Sequence, residues 1–257
     1  MTQDVRDIRD VHGGDSVRDG GDVQYGTAVA SVYDSLIAPA MPAEVAVERL
    51  RPYVDGARVL EVGVGTGRVA VPVAALAREV VGVDNSRPML DGFRAKGVPA
   101  NVSLVEADFR RPLPLQGRFG AAYSTMGSLA CVRSREELTA AFAHVREVLE
   151  PGATLSLEYY STAVYRPLVE LGTVTVPMPH HGGTTTFTTT VDDADVLTMG
   201  TLVEKDGEPP VEFSEQVLLI EREEVQACLA RAGFAVQEVV PAEELLPYDW
   251  YTARGVA

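Results

Sequence analysis

One stretch constrains the fold of this chain more than any other, because it reads as a buried strand, a glycine turn and the start of a helix. It is Val59-Leu60-Glu61-Val62-Gly63-Val64-Gly65-Thr66-Gly67-Arg68-Val69-Ala70. Its apolar, partly β-branched start is typical of a parallel strand covered on both faces. Glycine then stands at every second position, where the missing Cβ lets a ligand approach the backbone closely. The stretch therefore predicts a ligand-binding turn at the end of a buried strand.

The spacing of the glycines separates two classes of cofactor. A dinucleotide-binding turn has the pattern G-x-G-x-x-G. Here the pattern is E-x-G-x-G-x-G, so the third glycine comes one residue early and the carboxylate of Glu61 precedes the first. Asp84 ends the next apolar run, Val80-Val81-Gly82-Val83. It follows the first glycine at about the 20-residue interval at which a strand-end carboxylate accepts hydrogen bonds from ribose hydroxyls.

Two segments together resemble the class I S-adenosylmethionine-dependent methyltransferases. They are Glu61-Val62-Gly63-Val64-Gly65-Thr66-Gly67 and Val83-Asp84-Asn85-Ser86-Arg87-Pro88-Met89-Leu90. The resemblance runs from about residue 25 to the C-terminus and is closest to the small-molecule methyltransferases of antibiotic and deoxysugar pathways. It implies an α/β fold, a Rossmann-like seven-stranded sheet with helices on both faces, and S-adenosyl-L-methionine as the cofactor.

The pattern along the chain predicts four regions. Residues 1–24 are rich in Asp, Arg and Gly and have too few large apolar side chains to offset the entropy of ordering, which predicts a mobile tail. Residues 25–171 form the cofactor-binding core, and residues 221–257 complete it. Between them, residues 172–220 show Thr-rich alternation with turn signals, which predicts three antiparallel strands inserted after strand five. This insertion is expected to act as a substrate lid and as a possible homodimer interface.

The charge of the chain excludes one class of substrate. A formal net charge of −15 is the wrong sign for a protein that must neutralise phosphates, so we expect no nucleic-acid partner. No apolar run approaches the roughly 20 residues of a membrane span, and the N-terminus has no apolar signal region. A cytoplasmic protein without a membrane partner is expected. Cys131 and Cys228 show no metal or redox spacing and are interpreted as reduced thiols.

The resemblance also implies which residues contact the cofactor. In the family a tyrosine of an N-terminal helical segment commonly reaches the methionine carboxylate; Tyr33 matches best by position, with Tyr25 next, although Tyr33 could equally be a core aromatic. An aspartate after the third strand accepts the adenine amino group, and apolar side chains flank the ring. For Met89 core packing is an alternative, and Asp108 could be a plain loop residue. The implied cofactor-binding residues are Tyr25, Tyr33, Glu61, Gly63, Gly65, Asp84, Asn85, Met89, Asp108, Phe109, Ser124 and Met126.

Two places in the sequence offer a general base. His180-His181, between Pro179 and Gly182-Gly183, could supply a base near neutral pH at the mouth of the cleft, or could be an exposed loop without a catalytic part. Tyr160 is a second candidate, because it ends the fifth strand, where ligands of doubly wound sheets bind. Tyr159 precedes it, and alternation along the strand allows only one of the two to face the cleft.

Motifs that are missing from the end of the fourth strand narrow the class of reaction. The fourth strand ends in Ser124-Thr125-Met126-Gly127, without the Asn/Asp-Pro-Pro-aromatic element of nucleic-acid amino methyltransferases. It also lacks the clustered carboxylates that Mg²⁺ would need, so no metal site is expected. The sequence therefore predicts a metal-independent methyltransferase that acts on an N or O atom of a small natural-product acceptor. The alternative is a methyltransferase-fold enzyme that binds the cofactor but catalyses a cyclisation or rearrangement.

Overall fold

The structure is a computed structural model that describes Gly26 and residues 29–30, 33–37, 41–177, 182–242 and 247–256. The predicted N-terminal tail, Tyr25 and the pair His180-His181 lie outside the described residues. The domain boundaries inferred from the sequence remain predictions. No helix within the described ranges is long and apolar enough to span a membrane.

The strands of the described chain form two sheets. In chain order they are β1 (Arg58–Val62), β2 (Glu79–Asp84), β3 (Val102–Glu106), β4 (Phe119–Ser124), β5 (Leu149–Tyr160), β6 (Thr173–Pro177), β7 (Thr184–Val191), β8 (Val196–Glu204), β9 (Val211–Leu218), β10 (Phe234–Val240) and β11 (Tyr248–Gly255). The larger sheet has the order β10-β11-β5-β4-β1-β2-β3. Its central pairs are parallel, whereas β11 runs antiparallel to both β5 and β10. This confirms the predicted seven-stranded α/β fold.

Helices cover both faces of the seven-stranded sheet. They are α1 (Ala43–Val54), α2 (Ala70–Ala74), α3 (Arg87–Lys96), α4 (Arg135–Glu147), α5 (Thr162–Leu171) and α6 (Arg222–Arg231). One core contains buried side chains of α1, α2 and α3, such as Leu50 and Phe93. The other contains side chains of α4 and α6, such as Phe142 and Leu229. Each strand of the sheet centre is therefore buried on both sides, which explains its continuous apolar sequence.

Two helix starts follow from local sequence. The Ser86 hydroxyl accepts a hydrogen bond from the amide of Met89 at 3.5 Å and caps α3, with Pro88 in the first turn, where a missing N–H does no harm. The hydroxyl of Ser134 accepts from the amide of Glu137 at 3.2 Å and caps α4. The cap of α3 fixes the helix directly beside the glycine turn.

The insertion is a four-stranded antiparallel sheet, β6-β7-β8-β9, which we call the insertion sheet. The antiparallel insertion after strand five is confirmed, but the expected number of three strands is wrong. The additional strand, β6, is short and lies at the edge of the sheet, with Pro177 as its last residue. Proline is tolerated at a sheet edge, so its presence did not exclude a strand there.

The fifth strand also begins earlier than its sequence indicates. Pro151-Gly152 reads as a break between helix and strand, which predicts a strand starting at Ala153, but β5 begins at Leu149. Leu149 pairs with Phe119, and the register of β4 and β5 shifts between Phe119 and Ala121. The irregularity accommodates the Pro-Gly pair within the strand.

Candidate active site

The glycine turn after β1 is held by the carboxylate of Asp84. The three glycines of the turn have positive φ values, which residues with a Cβ rarely adopt. The values are 77° at Gly63, 53° at Gly65 and 86° at Gly67. The amide of Gly65 donates to Asp84 Oδ2 at 2.8 Å, and the amide of Ser86 donates to Asp84 Oδ1 at the same distance. Asp84 therefore ties the glycine turn to the start of α3. Its pairing with Gly65 connects the two segments that sequence analysis singled out.

A cavity of about 660 Å³ opens beside this turn. Its walls come from the turn, from the strand ends of β2, β4 and β5, and from the insertion sheet. The lining residues that the argument below uses are Tyr33, Glu61, Arg68, Asp84, Asn85, Met89, Phe109, Met126, Tyr160, Phe213 and Glu215. A pocket of this size at the carboxyl ends of parallel strands is the expected ligand site of such a sheet.

Glu61 is a buried carboxyl in the wall of this cavity. It is only 2% exposed, and Oε2 accepts a hydrogen bond from the hydroxyl of Tyr123 at 2.7 Å. Burial raises the pKa of Glu61 to about 8, against the opposing effects of the Tyr123 hydrogen bond and of the charge on Arg68. A cation bound in the cavity would favour the ionised form of this carboxyl.

Arg68 is a cavity residue that the sequence-based site prediction omitted. Its guanidinium donates to the carbonyl oxygen of Met41 at 2.7 Å and to the hydroxyl of Thr125 at 3.4 Å. It is the residue after the third glycine, so the turn itself sets its position. That adjacency was the signal available in the sequence. The arginine gives this end of the cavity a positive charge that could face a carboxylate.

Tyr33 lies in a short π-helical segment, Tyr33–Ile37, and lines the cavity. Its hydroxyl donates to the sulfur of Met126 at 2.9 Å, and its ring packs with Met89 in a small apolar cluster. Burial raises its pKa, with Arg68 acting in the opposite direction. The tyrosine is therefore both a core aromatic and a wall of the cavity.

The structure places only some of the residues expected around the adenine in the cavity wall. Asn85, Met89 and Phe109 line the cavity, but Asp108 is not among the lining residues. Instead, Arg110 binds both carboxylate oxygens of Asp108, at 2.9 to 3.1 Å. Although burial raises the pKa of Asp108, the hydrogen bonds from Arg110 outweigh it and hold the pKa below its usual value. A hydrogen bond from an adenine amino group to Asp108 would have to share this carboxylate with Arg110.

The end of β4 also differs from expectation at one position. Ser124 is fully buried, and its hydroxyl donates to the carbonyl oxygen of Val62 at 2.9 Å, so it joins β4 to β1 instead of facing the cavity. Met126 does line the cavity, with a φ of 53°. Its amide donates to Glu158 Oε2 at 2.6 Å, which fixes the turn after β4 to the end of β5.

The two tyrosines at the end of β5 point in different directions, as strand alternation requires. Tyr159 is buried in the core, and its hydroxyl donates to the carbonyl oxygen of Leu218 at 2.7 Å. Tyr160 lines the cavity, and its hydroxyl donates to Glu215 Oε2 at 2.8 Å. Glu215 lies on β9, so this bond joins the seven-stranded sheet to the insertion sheet. Sequence analysis did not identify Glu215.

The cavity has the features that S-adenosylmethionine requires. The positive-φ glycines remove side chains from the turn, Asp84 places a carboxylate at the strand end, and the apolar side chains of Met89 and Phe109 can pack on a flat base. Glu61 and Arg68 offer opposite charges to an amino acid moiety. Within the described residues, no group of three or more His, Cys, Asp or Glu side chains forms a potential metal site.

Comparison with known proteins gives a consistent result. Residues 59–152 match the family model of a methyltransferase domain. The chain is 27% identical to a cypemycin N-terminal methyltransferase from Streptomyces, over 90% of this chain and 94% of that protein. Among solved structures, the CcbJ methyltransferase from Streptomyces caelestis superposes with a TM-score of 0.80 at 27% identity, covering 91% of this chain and 98% of that one.

A further solved structure shares the fold. It is S-adenosylmethionine-bound CalS10, an amino pentose methyltransferase from Micromonospora echinaspora, with a TM-score of 0.67, 23% identity, and coverage of 83% of this chain and 90% of that one. The matched domain model spans β1 to the start of β5, which includes the glycine turn and Asp84. From the turn, the sheet order and these matches, residues 59–152 carry a methyltransferase domain, and the chain as a whole has the fold of S-adenosylmethionine-dependent methyltransferases.

Proposed function

We propose that this methyltransferase transfers a methyl group from S-adenosylmethionine to an N or O atom of a small natural-product acceptor. The observation that carries this proposal is that one cavity is lined both by the glycine turn and by the insertion sheet. The cofactor would lie over the turn, and the acceptor would lie between the end of β5 and the insertion sheet. The names of the similar proteins support a natural-product acceptor.

For the cofactor, we propose that Asp84 accepts hydrogen bonds from the ribose and that Met89 and Phe109 flank the adenine. The guanidinium of Arg68 would pair with the methionine carboxylate, beside Tyr33, and the carboxylate of Glu61 would receive the cationic part of the cofactor. These roles are supported by the positions of the six side chains in the cavity wall.

The protein's part in the reaction is mainly alignment. The cofactor supplies an activated methyl group, whose carbon–sulfur bond breaks with the electron pair left on sulfur as the bond to the acceptor forms. The residues of the cavity hold the two reactants in line and exclude water. Because the sulfonium would leave as a neutral thioether, which is a good leaving group, we propose that no metal ion takes part.

The proposal includes the predictions about partners, location and oligomeric state. A net charge of −15 argues against a nucleic-acid substrate. A cytoplasmic location and a homodimer formed through the insertion sheet also remain predictions. Sedimentation of the purified protein would test the dimer, which requires a mass of about twice 27.5 kDa.

The proposal is tested in two steps. Calorimetry should show binding of S-adenosylmethionine and of S-adenosylhomocysteine, and no comparable binding of NAD as a dinucleotide control. Incubation of the protein with methyl-labelled cofactor and a pool of small amines and alcohols, followed by mass spectrometry, should then give labelled product. An absence of cofactor binding at millimolar concentration, or product that forms without label, would contradict the proposal.

A further inference from the structure

A charged side chain interrupts the apolar face of β9. Phe213 and Glu215, two residues apart, both line the cavity. Across the sheet, Phe213 is paired with Thr201 and Glu215 with Met199, and both partners also line the cavity. Glu215 is thus a carboxyl on the cavity face of the insertion sheet. Its neighbours on that face, Phe213, Met199 and Thr201, have apolar or hydroxyl side chains. Burial of such a group is costly unless it is paired, which calls for an explanation.

The surroundings of Glu215 are aromatic. Its hydrogen-bond donor is Tyr160, whose ring centroid lies 4.8 Å from that of Tyr165 and 5.1 Å from that of Tyr248. All three tyrosines line the cavity. Aromatic faces beside a carboxylate are favourable surroundings for an organic cation. This end of the cavity is therefore suited to an ammonium group.

The other ionisable groups of the cavity are already engaged. Among the described lining residues, Arg68 is the only Lys, Arg or His, and it is bonded to Met41 and Thr125 at the cofactor end. Asp84 accepts hydrogen bonds from two backbone amides of the turn region. Glu61 accepts from the hydroxyl of Tyr123, and the charge of Arg68 acts on it at the same end of the cavity. Glu215 lies on the insertion sheet and accepts from Tyr160 through Oε2, and within the described chain no cationic side chain pairs with it.

Glu215 also lies close to the cofactor end along its strand. Phe213 packs against the small cluster of Tyr33 and Met89, which stands beside the glycine turn. The next residue on the same face of a strand is about 7 Å away. An acceptor group held by Glu215 would therefore be near the part of the cavity where the two reactants must meet.

We propose that Glu215 binds the ammonium group of the acceptor and takes up its proton, so that this protein methylates an amine nitrogen in preference to a hydroxyl oxygen. This inference rests on the proposed function and narrows it to one class of acceptor. Tyr160 is the positioning residue for the Glu215 carboxyl, whose second oxygen is left for the ligand.

The proton balance of this step is simple. An ammonium nitrogen has no free electron pair, so it cannot attack a methyl group until one N–H bond breaks. The proton moves to a carboxylate oxygen of Glu215, the nitrogen keeps the electron pair, and methylation then makes the nitrogen cationic again. The proton on Glu215 passes to solvent before the next cycle. A hydroxyl acceptor brings no positive charge to the carboxylate and is too weak an acid to give it a proton.

The acidity of Glu215 supports this step. Burial raises its pKa to about 7, with the Tyr160 hydrogen bond acting in the opposite direction. A carboxyl with such a pKa can exchange a proton near neutral pH, which is the condition for an efficient general base. The other titratable side chains around the pair are Tyr165, Tyr248 and Cys131; burial raises the pKa of Tyr165.

The test uses binding as well as activity. The full-length protein saturated with S-adenosylhomocysteine would be titrated by calorimetry at pH 8 with benzylamine and cyclohexylamine, and with benzyl alcohol and cyclohexanol as neutral counterparts. Glu215→Gln keeps the size and the acceptor oxygen for Tyr160 but removes the charge. Glu212→Gln, on the exposed face of the same strand, is the matched control.

We expect the wild type and Glu212→Gln to bind each amine at least tenfold more tightly than its alcohol, and Glu215→Gln to lose that preference. With methyl-labelled cofactor, label should enter amines, at a rate at least 100-fold lower in Glu215→Gln, and the wild-type rate should rise with pH through about 7. Equal amine binding by Glu215→Gln and wild type, no amine binding by the wild type, or label found only in alcohols would overturn the inference.

These outcomes are separable from a failure of the proposed function. Binding of S-adenosylhomocysteine by both variants should stay within twofold of the wild type, because Glu215 lies on the insertion sheet and the turn lies on the core. Loss of cofactor binding in the wild type would contradict the proposed function itself. Normal cofactor binding and transfer of label to alcohols would contradict only the inference about Glu215.

Discussion

At the scale of single residues, the glycine turn and the carboxylate that holds it were well marked in the sequence. The glycine spacing and the carboxylate of Asp84 predicted two segments that the structure brings within hydrogen-bond distance of each other, at Gly65 and Asp84. The reason is that both signals depend on backbone geometry, which local sequence specifies directly. The role of Asp108 was harder to predict. The side chain of Arg110 donates hydrogen bonds to its carboxylate, and the sequence does not show that contact.

Asp84→Asn is expected to weaken cofactor binding at least tenfold while leaving the protein folded. Each carboxylate oxygen of Asp84 accepts from a different amide, and an asparagine has only one acceptor oxygen, so one of these bonds is lost together with the charge. Calorimetry with S-adenosylhomocysteine measures the change.

The control for this variant is Asp91→Asn, at an exposed position on α3 where the side chain pairs with Arg94. This substitution should leave cofactor affinity within twofold of the wild type. Equal affinities for Asp84→Asn and the wild type would show that the carboxylate at the end of β2 is not part of the cofactor site.

At the scale of elements, periodicity predicted the order of strands and helices but missed two features. The edge strand β6 is short and ends in a proline, so its pattern was too weak to separate from a loop. Glu215 was overlooked because a charged residue in an alternating strand normally marks the solvent face, and its partner Tyr160 is distant in sequence. Tertiary contact, which a single sequence does not show, decided both cases.

The turn that follows β4 depends on a glycine that leaves room for Tyr160. Gly127 has a φ of 69°, and a Cβ at this position would collide with the Tyr160 ring. We therefore expect Gly127→Ala to lower the free energy of unfolding by about 2 to 4 kcal/mol, from backbone strain and overpacking together. Urea unfolding measures the loss.

Gly56→Ala separates the two contributions. Gly56 has a similar φ of 64°, but a Cβ there would meet nothing within 4 Å. Gly56→Ala should therefore lower the free energy of unfolding by only about 1 kcal/mol, from backbone strain alone. If the two alanine variants lost the same free energy, contact between residue 127 and the Tyr160 ring would not matter to stability.

At the scale of the whole molecule, carboxyls with raised pKa values make stability depend on pH. Glu61 and Glu215 have folded-state pKa values of about 8 and about 7, both raised by burial from 4.5. Between about pH 4.5 and 8 the unfolded chain releases protons that the folded protein keeps, so the free energy of unfolding falls as pH rises. The slope is about 1.4 kcal/mol per pH unit for each such group.

Urea unfolding at intervals from pH 5 to 8.5 measures this slope, without cofactor present. Glu61→Gln should make the slope of the free energy of unfolding against pH less steep, because the glutamine side chain does not titrate. Glu147→Gln, at an exposed position of α4, should leave the slope unchanged. A stability that stays constant or rises over this interval would show that Glu61 and Glu215 ionise in the folded protein as they do in the unfolded chain.

The separate strand pairing of the two sheets has a consequence for the choice of acceptor. Among the described strands, β6 to β9 pair with one another and with none of the larger sheet, although Leu197, Val217 and Leu218 pack in its core. Substitutions along the inner side of the insertion sheet can therefore alter which molecule is accepted without disturbing the amides that hold Asp84. A graft of residues 173–218 from a relative with a known acceptor should therefore carry the choice of acceptor with it.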